Sequence, residues 1–516
     1  MNRPFVTANL GAILPAVDSR LIALDRARVI ARIWDGDHTV WKDDPTEITN
    51  RLGWLTIADE MARAAEDLEA FGRAIAAEGY VTAVLLGMGG SSLAPEVLGE
   101  TFGVMPGALR IEVLDSTDPR QIRDLENRID LQTTLFIVSS KSGGTIETRS
   151  QFAYFWEKIP DGKHFIVITD AGSAMDDLAR ELGVGRIFRN PPDIGGRYSA
   201  LSLFGLVPAA LLGIDVRALI ARAQEMARAC GREVSARDNP GAWLGAVMGE
   251  AALAGRDKVT LVFPDEIAPL GCWIEQLIAE STGKEGRGIL PVEGEALGGP
   301  EAYGSDRLFV AIGDHSKLAA LEAAGHPVVR LPHQPGDPMQ VGAEFFRWEF
   351  ATAVAAHVIG VNPFDQPNVQ EAKDATARIL EGTKVEPTTE TIERVLATVR
   401  PGDYVAITAY IARNPETVAA LTAVRQRIRD RYRVATTVGF GPRFLHSTGQ
   451  LHKGGANNGV FLQLVTEDSQ DLAIPGQTFG FGGLKEAQSL GDLASLRAYG
   501  RRVWRGKMSQ LVEGTV

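Results

Sequence analysis

Cysteine is nearly missing from this chain: Cys230 and Cys272 are the only two in 516 residues. Two thiols in a chain of that length give no disulfide framework, which excludes a disulfide-stapled scaffold and suits a reducing, cytoplasmic setting. Cys272 precedes an apolar, helix-like run and reads as core rather than nucleophile. Histidine is sparse as well, and the eight present form neither an HExxH pattern nor a cluster with cysteine, so no metal site is expected. Positive charge does not dominate. Lys and Arg number 53 against 65 Asp and Glu, a net charge of −12, which argues against a nucleic-acid surface yet leaves room for a local basic pocket. No stretch reaches about 18 unbroken apolar residues, so no membrane span is expected. Met1-Asn-Arg-Pro4 opens no signal peptide.

Glycine, in contrast, is plentiful at 55, and 45% of the chain is hydrophobic. Two glycine-rich turns, each closing an apolar run, organise the rest. The first is Thr82-Ala-Val-Leu-Leu-Gly-Met-Gly-Gly-Ser-Ser92, the second Thr134-Leu-Phe-Ile-Val-Ser-Ser-Lys-Ser-Gly-Gly-Thr145. A buried strand, a tight turn and a helix start are how α/β proteins hold anions, because glycine lets the backbone approach and helix-start N–H groups point at the charge. The second turn adds Ser140, Lys141, Ser142 and Thr145, which suit a phosphate. Neither turn fits the common nucleotide templates: Gly87-x-Gly89-Gly90 lacks the last glycine of the dinucleotide fingerprint, and Lys141 precedes its glycines where the P-loop lysine follows them. The expected anion is the phosphate of a small metabolite. Taken singly, either turn reads equally well as an ordinary strand-to-helix connection; the pair in one domain favours the anion.

The length suggests two to four domains, and the pattern is α/β. Residues 10–80 read as helices, with apolar residues at helical spacing over Asp18–Trp34 and Ile57–Glu78. From 81 to about 215, strands at Val81–Leu86, Leu109–Leu114, Thr134–Ser139, His164–Thr169 and Arg186–Phe188 alternate with helix-like runs, the rhythm of a parallel, helix-covered sheet. A third loop, Asn190–Ser199, carries Gly195, Gly196 and Arg197. A second α/β rhythm starts near 257, is interrupted by helices, and resumes with strands at Asp403–Tyr410, Arg433–Val438 and Gly459–Val465. The division expected is a helical lead-in over 1–80, a first domain over 81–235, and a second over 236–480 with a helical interruption near 340–400. A helical tail over 481–516 follows, and Gly382 to Pro387 reads as a linker.

Three further stretches carry chemistry. Gln276 and Glu280 are four apart, on one helix face, and Glu280 falls in the last turn, where the helix dipole disfavours its charge. Phe364-Asp-Gln-Pro-Asn-Val-Gln-Glu-Ala-Lys373 places Gln366 just outside a helix start at Pro367 and Lys373 two turns later on the same side. The loop Gly439–Gly455 is dense in glycine and holds His446 and His452, two candidates for proton transfer.

Together these motifs resemble the glucose-6-phosphate isomerase family: Gly87-Met-Gly-Gly-Ser91, Ser140-Lys-Ser-Gly-Gly-Thr145, Gly195-Gly-Arg-Tyr-Ser199, Gln276-x-x-x-Glu280-Ser-Thr-Gly-Lys284, and Phe364-Asp-Gln366 with Lys373, in the family's order. The C-terminal part looks like the isomerase half of bifunctional transaldolase/glucose-6-phosphate isomerase proteins, with no transaldolase region in this chain. The resemblance implies two sugar-isomerase domains, a homodimer, and interconversion of glucose 6-phosphate and fructose 6-phosphate with neither metal nor cofactor. Carried over by position, Ser140, Lys141, Ser142 and Thr145 hold the sugar phosphate. Gly90, Ser91, Gly196, Gln276 and Gln366 line the sugar end. Glu280 is the base that moves a proton through a cis-enediol, and Arg197 steadies the charge on that intermediate. Lys373 and a histidine open the ring. The sequence departs from the family at this histidine, which elsewhere lies between the glutamate and glutamine motifs and is supplied by the partner subunit. Here the nearest pattern follows Lys373, so the second domain reads as rearranged in chain order, with His446 as the candidate and His452 as the alternative. Isomerisation of a related sugar phosphate, such as mannose 6-phosphate, and a non-catalytic phosphosugar-binding regulator are the competing readings.

Overall fold

The computed structural model describes residues 2–3, 6–386, 390–468 and 470–515. Pro387, where the expected linker ends, and Met1 and Pro4 of the N-terminal stretch lie outside the described residues. Two short strands, β1 (Asn2–Arg3) and β2 (Val6–Asn9), come before the first parallel sheet. That sheet is built from β3 (Thr82–Gly87), β4 (Arg110–Leu114), β5 (Thr134–Ser139), β6 (Phe165–Asp170) and β7 (Arg186–Asn190), in the order β4-β3-β5-β6-β7. β3 and β5 are buried along their whole length, which is why both read as unbroken apolar runs rather than alternating ones.

A second sheet holds β8 (Lys258–Val262), β9 (Leu290–Val292), β10 (Arg307–Ile312) and β11 (Val328–Leu331), parallel and ordered β11-β10-β8-β9. A third holds β12 (Tyr404–Tyr410), β13 (Ala435–Phe440), β14 (Gly459–Val465) and β15 (Arg502–Gly506), parallel and ordered β13-β12-β14-β15. One connectivity is therefore used three times. In each sheet the earliest of the parallel strands has the second on one flank and the third on the other, so connections leave it in opposite directions and open a crevice at the strands' carboxyl ends.

The α/β class is as the sequence indicates, but four details differ. The lead-in is not wholly helical: β2 pairs antiparallel with β11 of the second sheet, and its four residues are too short a run to register as a strand without that partner. The tail is not wholly helical either, since β15 follows the Phe481–Ala498 helix and pairs with β14. The α/β pattern that resumes after residue 400 builds a sheet of its own instead of rejoining the second. The Asp18–Trp34 stretch is two helices, Leu14–Arg26 and Val29–Trp34, parted at Arg28 in a left-handed conformation (φ +52).

The largest core surrounds the Gln340–Ile359 helix, which is buried on nearly every side. Against it runs the Pro240–Leu253 helix, the most heavily engaged helix pair in the fold. Gly241, Gly245 and Gly249 recur there at four-residue spacing and form a smooth stripe. A Cβ at Gly245 would strike the Ala351 carbonyl, and one at Gly249 would stand 2.5 Å from Val358. Alanine at Gly245 gains helix propensity, yet the backbone contact leaves it no room. Gly245→Ala is expected to lower stability by about 1–3 kcal/mol, seen as a drop in the urea midpoint at unchanged slope; a midpoint at or above wild type would refute the close approach.

Candidate functional site

β3 and β5 are neighbours at the crevice of the first sheet and end together, Gly87 opposite Ser139. Their loops form one side of a cleft of about 420 Å³, within the range of small-molecule sites. Gly89 takes a left-handed conformation (φ +56). Gly90 lies against the Gly196 backbone, so closely that a Cβ at Gly90 would overlap the Gly196 carbonyl; the first glycine turn and the loop after β7 meet only because position 90 lacks a side chain. Ser139 Oγ donates to the Ser91 carbonyl at 2.8 Å and ties the two strand ends together.

The second turn curls over itself. Ser140 Oγ accepts from Gly143 N at 3.2 Å and Ser142 Oγ from Gly144 N at 3.3 Å, with Gly143 at φ +69. Thr145 stands at the start of the Ile146–Lys158 helix, and its hydroxyl makes no cap bond, so it is free to meet a ligand together with the helix-start N–H groups. Lys141 Nζ donates to Asp170 Oδ2 at 2.6 Å and to the Pro192 carbonyl at 2.9 Å. Burial raises the Asp170 carboxyl above its ordinary pKa against the pull of Lys141.

Across the cleft, the Leu270–Thr282 helix presents Gln276 and Glu280 one turn apart, both buried. Gln276 Nε2 donates to Glu280 Oε2 at 3.0 Å, and Arg197 Nη1 lies 3.1 Å from Glu280 Oε1. These two partners offset the unfavourable helix-end position of the carboxylate. Arg197, 3% exposed, also donates to Ser281 Oγ (2.9 Å), Gln366 Oε1 (2.9 Å) and the carbonyls of Pro363 and Asp365 (2.7 and 2.8 Å). Gln366 precedes the Pro367–Leu380 helix, whose Lys373 reaches the cleft and has no hydrogen-bond or ion-pair partner among the described residues.

His446 completes the wall. Its carbonyl accepts from Gln276 Nε2 at 2.7 Å, and its Nε2 lies 2.9 Å from Glu147 Oε1. Gln488 holds that same oxygen at 2.7 Å, so the imidazole has a carboxylate that is itself held. His452 does not reach the cleft. It is 2% exposed and packs against Phe461, ring centroids 5.0 Å apart, with neither ring nitrogen hydrogen-bonded. Burial, then Lys453 and Arg501, push its pKa well below the ordinary value. It is a neutral core residue, and the alternative assignment falls. Ser140 is likewise below the surface: it shapes the turn but does not line the cleft. The other expected site residues all face it. His446 lies at the cleft of its own chain, its carbonyl on Gln276 of the Glu280 helix.

Four participants escaped the sequence reading. Arg51 lines the cleft near Asp170, where the Gly53 N–H, donating to the Asp193 carbonyl at 3.0 Å, ties its segment to the third loop; no local pattern marks it. Asp170 closes β6 and pairs with Lys141. Glu147 lies two positions past Thr145, and the Thr-Ile-Glu run at a helix start was the available signal. Lys284 ends the Glu280 motif.

The description Phosphoglucose isomerase belongs to the family model that matches residues 42–289. Among curated proteins, the glucose-6-phosphate isomerase of Carboxydothermus hydrogenoformans is 30% identical over 368 residues, 58% of this chain and 78% of that one. The one from Synechococcus elongatus is 32% identical over 351 residues, 57% and 65%. Two solved structures share the fold. A Thermus thermophilus protein described as hypothetical has a TM-score of 0.62 at 23% identity, covering 73% of this chain and 100% of its own. A Chlamydia trachomatis glucose-6-phosphate isomerase has 0.58 at 19%, covering 71% and 86%. The fold and cleft define a doubly wound α/β protein with a glycine-lined cleft at a sheet crevice. The chain belongs to the phosphoglucose isomerase family; the matched stretch spans 65% of the Synechococcus protein's length.

Burial raises the Glu147 carboxyl, but His446 outweighs it, and the net pKa is lowered. A carboxylate depressed on folding contributes stability that is present above its unfolded pKa and lost as pH falls through the folded one. Glu147→Gln is therefore expected to cost about 1–3 kcal/mol at neutral pH, with the gap to wild type narrowing below about pH 4. Urea midpoints of both proteins at neutral and acid pH test this, and a gap that does not change with pH contradicts it.

Proposed function

We propose that this protein interconverts glucose 6-phosphate and fructose 6-phosphate. The observation that carries the reading is the Glu280 carboxylate, buried and held by Arg197 and Gln276, facing a glycine-rich turn built for a phosphate. With the phosphate on Lys141, Ser142 and Thr145, the sugar's C1 and C2 extend toward Glu280. Glu280 takes a proton from one carbon and returns it to the other. The enediolate oxygen that gains charge in between meets Arg197, a fixed cation that needs no rearrangement at that moment. Ring opening falls to His446, oriented by Glu147, with Lys373 lining the same part of the cleft; Gln276, Gln366, Ser91 and the Gly90 and Gly196 backbones bound the sugar. Family membership supports this assignment of roles.

The resemblance also supports a homodimer, and the two unpaired cysteines fit the cytoplasm. The domain division we propose is one sugar-isomerase unit around the first sheet and a second made jointly by the other two. Among the described residues no helix is long and apolar enough to cross a membrane.

A coupled assay supplying fructose 6-phosphate and detecting glucose 6-phosphate through a dehydrogenase tests the reading. Glu280→Gln is expected to lower turnover by about 10²–10⁴-fold while sugar-phosphate affinity stays within a few-fold; a variant that keeps most of its turnover removes Glu280 as the base. Lys141→Ala is expected to raise KM by roughly 1.5–3 kcal/mol, about 10- to 150-fold, for one charged hydrogen bond. An unchanged KM would move the phosphate elsewhere.

A further inference from the structure

Lys284 follows the base-bearing helix and is 2% exposed, although nothing in the mechanism above uses it. Its Nζ donates to the Asn362 carbonyl and to Asp365 Oδ1, the latter at 2.6 Å. Arg197 takes the neighbouring oxygens of the same turn: the Pro363 and Asp365 carbonyls and Gln366 Oε1. Two cations from separate parts of the chain thus converge on the 362–366 turn and divide its oxygens between them. A lysine buried beside an arginine is costly. Burial, then Arg197, bring its pKa down to about 7, against the pull of Asp365 and Glu280. The arrangement pays a desolvation cost that a neutral side chain would avoid, and the Asp365 carboxylate is what it compensates.

That carboxylate is the key. The Asp365 backbone carbonyl already touches Arg197, and its side chain is about one-third exposed. Without Lys284 the Asp365 carboxylate loses its cation, while Arg197, already on the same residue's carbonyl and on Glu280, is a cation it can draw away. We propose that Lys284 is a positioning residue: by holding Asp365 it keeps Arg197 on Glu280 and fixes the 362–366 turn that sets Gln366 and the Lys373 helix at the cleft. The inference rests on the isomerase reading for its effect on turnover, though not for its effect on the turn.

The test is a double-mutant cycle on the full chain with two readouts. Lys284→Met is expected to lower kcat about 10- to 100-fold with KM changed less than about 3-fold, because the phosphate turn lies on the other side of the cleft. Adding Asp365→Asn to that variant removes the stray carboxylate and is expected to restore kcat by at least about 5-fold, a rescue that loss of packing alone does not produce. Amide exchange across residues 362–373 is expected to rise in Lys284→Met and to recover in part in the double variant. If Lys284→Met does not fold, Asp365→Asn alone decides: it is expected to raise exchange in the same segment, and unchanged exchange overturns the clamp. Full turnover in Lys284→Met, or no restoration by Asp365→Asn, also overturns it. Exchange does not depend on catalysis. A wild type that fails to isomerise the sugar phosphate thus refutes the functional reading, while the exchange comparison still decides the clamp.

Discussion

A guanidinium held away from water must be surrounded by acceptors, and at Arg197 that requirement joins the molecule together. Its acceptors come from the base-bearing helix and from the turn before the Pro367–Leu380 helix, while its own loop hangs from the first sheet. Removing its carboxylate partner, Glu280, would leave a buried cation without a counter-charge, which costs several kcal/mol. The close contact of Gly90 with the Gly196 backbone is the steric counterpart: it sets the depth at which the arginine's loop sits, and so where the guanidinium emerges.

The repeated strand order explains how so many walls reach one place. The first sheet contributes the ends of β3, β5, β6 and β7 to the cleft. The second contributes the helix that follows β8, and the third the loop that follows β13. The crevice where connections diverge is occupied by the glycine turns only in the first sheet; the other two sheets act as scaffolds that deliver Glu280 and His446 to it. The Phe481–Ala498 helix fastens the arrangement, with Phe481 and Leu484 in the core of the first sheet and Leu493 and Leu496 in that of the third.

Local pattern made some of this legible. β3 and β5 are long buried runs ended by glycine, and both stand where the apolar periodicity put them. Gln276 and Glu280 share a face because helical spacing is fixed. Short strands were not legible: β2 becomes a strand by hydrogen-bonding to β11, more than 300 residues away, β15 by pairing with β14 across an intervening helix, and β9 is three residues long. Of the site, the motif-borne residues could be named, but the sequence could not choose between His446 and His452, six positions apart in one loop, because burial is a tertiary property. Arg51, Asp170 and Lys284 escaped for the same reason: each acquires its place from a contact that no neighbouring residue announces.

The position of His446 has a consequence for inheritance. Where a site is divided between subunits, a chain damaged on one wall and a chain damaged on the other can pair and rebuild one intact site, which is the basis of complementation within a gene. In this fold the Glu280 helix and the His446 loop close on each other within a single chain. For these two walls, a lesion at one and a lesion at the other therefore damage one cleft when they share a chain, and two different clefts when they do not.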